Sequence, residues 1–267
     1  MIAELTRLRF TIWRRTPNAM RGLGITIGAL IALGTLGVAG GEWSSPNATG
    51  VLLALAFAAW LAGWVMGPIQ TGGNDFLRPE WFALLPIRAR HLTTAMLAAG
   101  VVSAGPAITL IASAGLVLYG AQHGIAAAVI GVPAMVAQVL LMMTTSKLAA
   151  ETLGASAKSR IMLEVTAAQY GLFVAAMFVG WFVLPQFLEV AGAIGAEPGD
   201  VLPPAARTLI MLLPSGWGVV AVESAGDGNW PLTAAALGGL SLLTLLGQGA
   251  YLRPYKRERP EARSGGT

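Results

Sequence analysis

The sequence predicts an all-α integral membrane protein, and three observations predict it. Of 267 residues, 55% are hydrophobic and only 11% charged, with a mean hydropathy of +0.67. Soluble domains carry about 25% charged residues, so a water-covered surface of this size would be short of charge. Apolar runs of about 20 residues, the length that crosses a hydrocarbon core, recur six times. The basic residues gather between alternate runs. The architecture expected is six transmembrane helices, an N-terminal interfacial helix, a short cytoplasmic helix between spans two and three, and an outer re-entrant hairpin between spans five and six. Residues 1–252 form one domain, and 253–267 form a basic cytoplasmic tail.

Composition also excludes function classes. With no cysteine, disulfides, thiolate zinc sites and iron–sulfur clusters are ruled out. Disorder needs low hydrophobicity and high charge. The pI of 9.9 does not indicate nucleic acid, because the basic residues sit at the ends of apolar runs and form no stripe.

The chain opens on Ile2, Leu5, Leu8, Ile12 and Trp13 at near-helical spacing, with Arg7, Arg14 and Arg15 elsewhere around the helix. That pattern suits a helix lying in the cytoplasmic interface over residues 1–16. A basic flank that only sets topology is the plainer alternative. No short apolar run with a small-residue cleavage site is present at the start, so a signal peptide is not expected. Pro17 breaks the helix before the first span.

The spans are expected at 22–41, 50–70, 92–119, 125–149, 165–188 and 231–252. None has a charge deep in its interior, and Lys147 lies close enough to an end to snorkel. Gly34, Gly63, Pro106, Pro133 and Gly180 fall inside them, as lipid-embedded helices tolerate. With the N-terminus inside, 16 of the 17 basic residues fall on the cytoplasmic side, and Arg207 alone falls outside. That asymmetry orients both termini toward the cytoplasm. Spans three and four are joined by few polar residues, Gln122 and His123, so their outer turn is tight.

The first inner loop holds Gly72, Gly73, Asn74 and Asp75, which are turn residues. Pro79 suits the first position of a helix and Glu80 its positive end. Trp81, Phe82, Leu84 and Leu85 follow before Pro86 stops it. A helix this short cannot span. Its aromatics suit docking to another protein, or equally anchoring at the headgroups. The second inner loop, with Lys158 and Arg160, has the composition of an ordinary solvated loop.

The outer segment 189–230 is too long for a turn and too apolar for a solvated loop. Pro203 and Pro204 open a short helix over 205–213, which Pro214 closes. Ser215 is a candidate cap for a second helix over 216–224. Asp227, Gly228 and Asn229 make a turn before Pro231 and the last span. Each piece is about half a membrane thick, which suits a re-entrant or membrane-surface hairpin over 201–224. A plain periplasmic subdomain is the alternative.

Catalytic signatures are missing. His91 and His123 fall on opposite sides of the membrane and cannot share a metal. No metalloprotease, serine-hydrolase or nucleotide-binding motif occurs. The intramembrane polar groups are neutral: Ser103, Thr109, Ser113, Gln138, Gln169, Ser241, Thr244 and Gln248. They are expected mostly to bond their own backbone or a neighbouring helix. Ion-coupled carriers usually need acids there. Small residues at four-residue spacing, Gly24/Gly28, Ala59/Gly63/Gly67 and Ala167/Gly171/Ala175, permit close helix approach.

This layout resembles the ABC-2-type permeases of ABC exporters, the type V, ABCG-like architecture. Two strings carry the resemblance. Phe76-Leu-Arg-Pro-Glu-Trp-Phe-Ala-Leu-Leu-Pro-Ile87 looks like the loop these permeases use as a coupling helix. Leu213-Pro-Ser-Gly-Trp-Gly218 is similar to the Pro-x-Gly-Trp stretch before their final span. The resemblance implies a permease subunit that is not itself an enzyme and carries no cofactor, driven by an ABC ATPase subunit that brings ATP and Mg. Glu80, Trp81, Phe82 and Leu85, with the N-terminal helix, would receive that subunit. Pro214, Gly216 and Trp217 would form the outer gate. It implies a bacterial cytoplasmic membrane and lipid contact. One six-span half implies a homodimer, pairing with a second half, or a place in a longer chain. Two other readings stand beside it: a non-transporting assembly or sensor subunit, and an ion-coupled secondary transporter. The transported substrate cannot be read from these residues.

Overall fold

A computed structural model describes residues 19–41, 46–70, 104–154 and 204–251. All regular structure among the described residues is helical. In chain order the helices are α1 (Ala19–Gly40), α2 (Pro46–Gln70), α3 (Ala104–Ser113), α4 (Gly115–His123), α5 (Ile125–Gly154), α6 (Pro204–Leu212), α7 (Trp217–Gly226) and α8 (Trp230–Tyr251). The interfacial helix expected at 1–16, the short cytoplasmic helix expected at 76–86, the span expected at 165–188, the tail expected at 253–267 and residues 92–103 of the expected third span lie outside the described residues.

Among the described residues, four stretches are long and apolar enough to cross a membrane: Ala48–Met66, Ala104–His123, Ile125–Ala149 and Trp230–Ala250. These match the expected spans two, three, four and six to within a few residues, apart from the start of span three. The first expected span is helical as well, though its apolar part, Gly24–Gly40, is shorter. α3 and α4 act as one rod. Ala114 keeps helical dihedrals (φ −60°, ψ −16°), and its N–H still donates to Leu110 O at 2.9 Å.

The turn between α4 and α5 is a single residue, Gly124, at φ +114°, a conformation open to glycine because it has no Cβ. The pair it joins packs most extensively among the described helices. A Cβ on Gly120 would lie 2.6 Å from Ala127 O, and one on Gly131 would lie 2.9 Å from Leu116 O. Backbone therefore meets backbone here, and only glycine permits it. The four-residue spacings fare differently. Among the described residues, Gly24 and Gly63 meet nothing within 4 Å, and Gly28 meets only the Ile108 side chain at ordinary contact distance. Repeats of small residues within one run did not mark the tight crossing, because closeness depends on which face the neighbour occupies.

Neutral hydroxyls bond backward along their own helices, as expected: Thr35 to Ile31 O, Thr109 to Gly105 O, Ser241 to Leu237 O and Thr244 to Leu240 O. Two do more. Trp60 Nε1 donates to Thr35 Oγ1 at 3.1 Å, and Trp64 Nε1 donates to Thr109 Oγ1 at 2.9 Å. α2 is thereby fastened to α1 on one side and α3 on the other. Gln122 Nε2 adds a bond to Ala39 O at 3.0 Å.

The core joins Leu53 and Phe57 of α2, Leu116 and Tyr119 of α4, Met142 of α5, and Val219 and Val222 of α7. α7 has only ten residues, yet it packs against α2, α4, α5 and α8. It ends in a Schellman motif: Gly228 at φ +73°, Asn229 N–H to Ser224 O at 2.7 Å, and Gly228 N–H to Ala225 O at 3.2 Å. Asn229 then caps α8, its Oδ1 accepting from Leu232 N–H at 3.3 Å, so one short turn both ends α7 and starts α8.

Candidate functional site

The turn expected at Pro214 is present, one residue off: α6 ends at Leu212 and α7 starts at Trp217. Proline disfavours helix in the residue before it, which accounts for the stop. Ser215 does not cap α7. Gly216 stands at the cap without a side-chain bond. Ser215 is buried instead, and its carbonyl accepts from Gln138 Nε2 at 3.4 Å. A Cβ on Gly216 would come within 2.9 Å of Ile210 O, so α6 folds back over a residue that must be small.

Depth follows from the partners. Gln138 lies 13 residues beyond Ile125 in α5, about 20 Å along the axis. The Trp217 ring packs on Gly239, nine residues into α8. At its other end, Gly226 sits by His123 and Ala127. α7 thus runs from the middle of the long helices out to the ends marked by Gly124 and Trp230. Of the three expected gate residues, Gly216 is buried, Pro214 is half-buried, and Trp217 donates through Nε1 to Leu212 O at 3.1 Å. The structure brings them together at the inner tip of the α6–α7 pair. Glu80, Trp81, Phe82 and Leu85 lie outside the described residues.

At the outer end of that pair is a polar cluster the sequence reading did not assemble. Glu223 of α7 accepts from the Tyr119 hydroxyl of α4 through Oε1 at 2.8 Å. Its other oxygen, Oε2, accepts from Arg207 Nη2 of α6 at 3.1 Å. Tyr119 is 1% exposed, and the Glu223 and Arg207 side chains are 16% and 38% exposed. α2 passes under them at Gly50, where a Cβ would overlap Glu223 Oε1 and lie 2.8 Å from Tyr119 Oη. One carboxylate therefore connects α4, α6 and α7, and a glycine of α2 leaves room for it. The signal was available in part: Arg207 is the one basic residue that the sequence pattern leaves off the expected cytoplasmic side. Tyr119 and Glu223 are 104 positions apart, and nothing local links them. His123 belongs to the structure here, its Nδ1 3.0 Å from Tyr119 O and its ring edge-on to Tyr119. No group of three metal-capable side chains occurs among the described residues.

Beside the cluster, α6, α7 and α8 line an open slot of about 500 Å³. Arg207, Thr208 and Leu232 line one end, and Leu212, Trp217 and Gly239 the other. Compared with family models, curated proteins and solved structures, the chain matches none. Its described part is a helical bundle with the length and composition of membrane spans, holding a short helix pair among them.

Proposed function

We propose that this chain is the membrane-spanning permease subunit of an ATP-driven ABC exporter, set in a bacterial cytoplasmic membrane with six spans and both termini inside. The observation that carries the reading is the α6–α7 pair. Two short apolar helices reach the level of Gln138, midway along α5, and return to the start of the last long helix. Non-spanning backbone is tolerated at that depth when it is buried in protein, and α7 is buried against four other helices. A re-entrant outer hairpin just before the final span is the layout that the ABC-2 resemblance implies.

On this reading the chain pairs with a second copy or a second six-span half. The ATPase subunit, holding ATP and Mg, docks on Glu80, Trp81, Phe82, Leu85 and the N-terminal helix. ATP-driven closure pushes those cytoplasmic helices, and the hairpin around Pro214, Gly216 and Trp217 gates the outer side. Glu223 bears on the ion-coupled alternative. It is a carboxylate among packed helices, but it is held by Arg207 and Tyr119. Such an arrangement suits a fastening better than a group that must take up and release a cation each cycle.

The test is purification of the intact protein from its native membrane with whatever it binds. The reading expects an ATPase carrying a nucleotide-binding motif. It also expects the double substitution Glu80→Ala, Trp81→Ala to abolish permease-stimulated ATP hydrolysis while membrane insertion is unchanged. A complex with no ATPase, or undiminished stimulation in the double variant, overturns it.

A further inference from the structure

We propose that the slot between α6, α7 and α8 is a binding site for one phospholipid of the outer leaflet, with an acyl chain in the slot and the phosphate on Arg207. Three features of the slot point to that occupant. The first is its shape. It runs along α8 from Leu232 to Gly239, about 10 Å at the rise of a helix, and so reaches about a third of the way into a hydrocarbon core of about 30 Å. Its volume of about 500 Å³ lies within the range of small-molecule sites. A slot that runs along the helices and stands open at its side suits a chain better than a compact solute.

The second feature is polarity. Met211, Leu212, Trp217, Val220, Leu232 and Ala236 form an apolar wall, and Arg207 brings the cation. Arg207 uses Nη2 on Glu223. A guanidinium carries five N–H donors in a planar fork matched to phosphate oxygens, and more than a third of this side chain is exposed. Glu223 is already satisfied from the other side by Tyr119, so Arg207 can bridge from that fixed carboxylate to a second acid.

The third is position. Arg207 sits at the same end of the bundle as Gly124 and Trp230. Trp230 is 53% exposed at the start of α8, and an exposed tryptophan at a span end belongs at headgroup level. Leu209, Leu212 and Leu232 beside the slot are exposed too, as side chains facing lipid would be. A phosphate at that level meets the cation while its chain enters the slot. The site itself needs no ATPase and no transport and so stands or falls separately from the permease reading; only its assignment to the outer leaflet rests on the orientation proposed there.

The test is native mass spectrometry of the purified full chain in detergent, titrated with phosphatidylglycerol or with diacylglycerol of the same chains. The wild type should retain one phosphatidylglycerol at least about tenfold more tightly than diacylglycerol, the size expected of charge-assisted bonds to a phosphate. Arg207→Gln should bring the two lipids to within about twofold of each other. Ala235→Trp fills the slot from its exposed side and leaves Arg207, Glu223 and Tyr119 in place, so it should lower retention about tenfold. Leu33→Trp, on an exposed part of α1, should change nothing. Equal retention of both lipids by the wild type, or undiminished retention by Ala235→Trp, overturns the proposal. So does a Leu33→Trp loss as large as that of Ala235→Trp.

Discussion

Gly120→Val is expected to disrupt the bundle more than any other single change among the described residues. At that position a Cβ would sit 2.6 Å from Ala127 O, 2.7 Å from Ala127 C and 2.8 Å from Ala128 N. Each of those atoms is backbone, so no rotamer change relieves the overlap. α4 and α5 must move apart across a one-residue turn, and α7, which packs on both, must follow. Overpacking a tight core costs about 1–3 kcal/mol, and occasionally more. Here the upper end is expected, about 3 kcal/mol. A thermal melt in detergent should show a clearly lowered midpoint. Gly34→Val, where no described residue lies within 4 Å, should stay within about 0.5 kcal/mol of wild type. Equal midpoints for Gly120→Val and wild type would mean that the backbone contact is absent.

The second large effect is expected at Glu223. Glu223→Ala removes the acceptor of both Tyr119 and Arg207. Arg207, partly exposed, can turn to solvent or lipid headgroups, whereas the hydroxyl of Tyr119 stays buried and loses the carboxylate it donates to. Hydrogen bonds to charged groups contribute about 1.5–3 kcal/mol, so a loss of about 2 kcal/mol follows. The assignment can be tested by coupling. Tyr119→Phe should weaken the wild type by about 1 kcal/mol and the Glu223→Ala protein much less, since the bond is already gone. Strict additivity of the two substitutions would show that Tyr119 and Glu223 do not interact. Because the cluster fixes the outer end of α7, cross-linking α6 to α4 should also become less efficient in Glu223→Ala.

Much of this arrangement could be read from the residues alone, and the boundaries show why. Apolar runs end where Gly, Pro and Asn interrupt them, so Pro214 and the Asp227–Asn229 turn fall where the punctuation places them, whereas Gln122 and His123, expected in the tight turn, belong to α4 and leave Gly124 alone to make it. Local chemistry also indicated that span hydroxyls bond their own backbone. Contacts across the bundle were not legible. The partners of Glu223 come from α4 and α6, and only packing brings them to one point. The Gly120–Ala127 approach carries no periodic signature, while the regular Gly24/Gly28 and Ala59/Gly63 spacings yield no backbone contact. Ser215 was a good capping residue by type, but burial under Gln138 took its place in the turn away from that role. The short aromatic helix expected at 76–86 lies outside the described residues.

The central claim is that the α6–α7 pair enters the membrane from the side opposite residues 71–91. The chain has no cysteine, so single introduced cysteines report without background. Ala121→Cys, Gly73→Cys and Leu213→Cys should be probed with a membrane-impermeant maleimide in intact cells. The account predicts labelling at 121, labelling at 73 only after permeabilisation, and at 213 reaction only with a membrane-soluble reagent. Labelling of 73 in intact cells, or labelling of 213 as fast as 121, would contradict it.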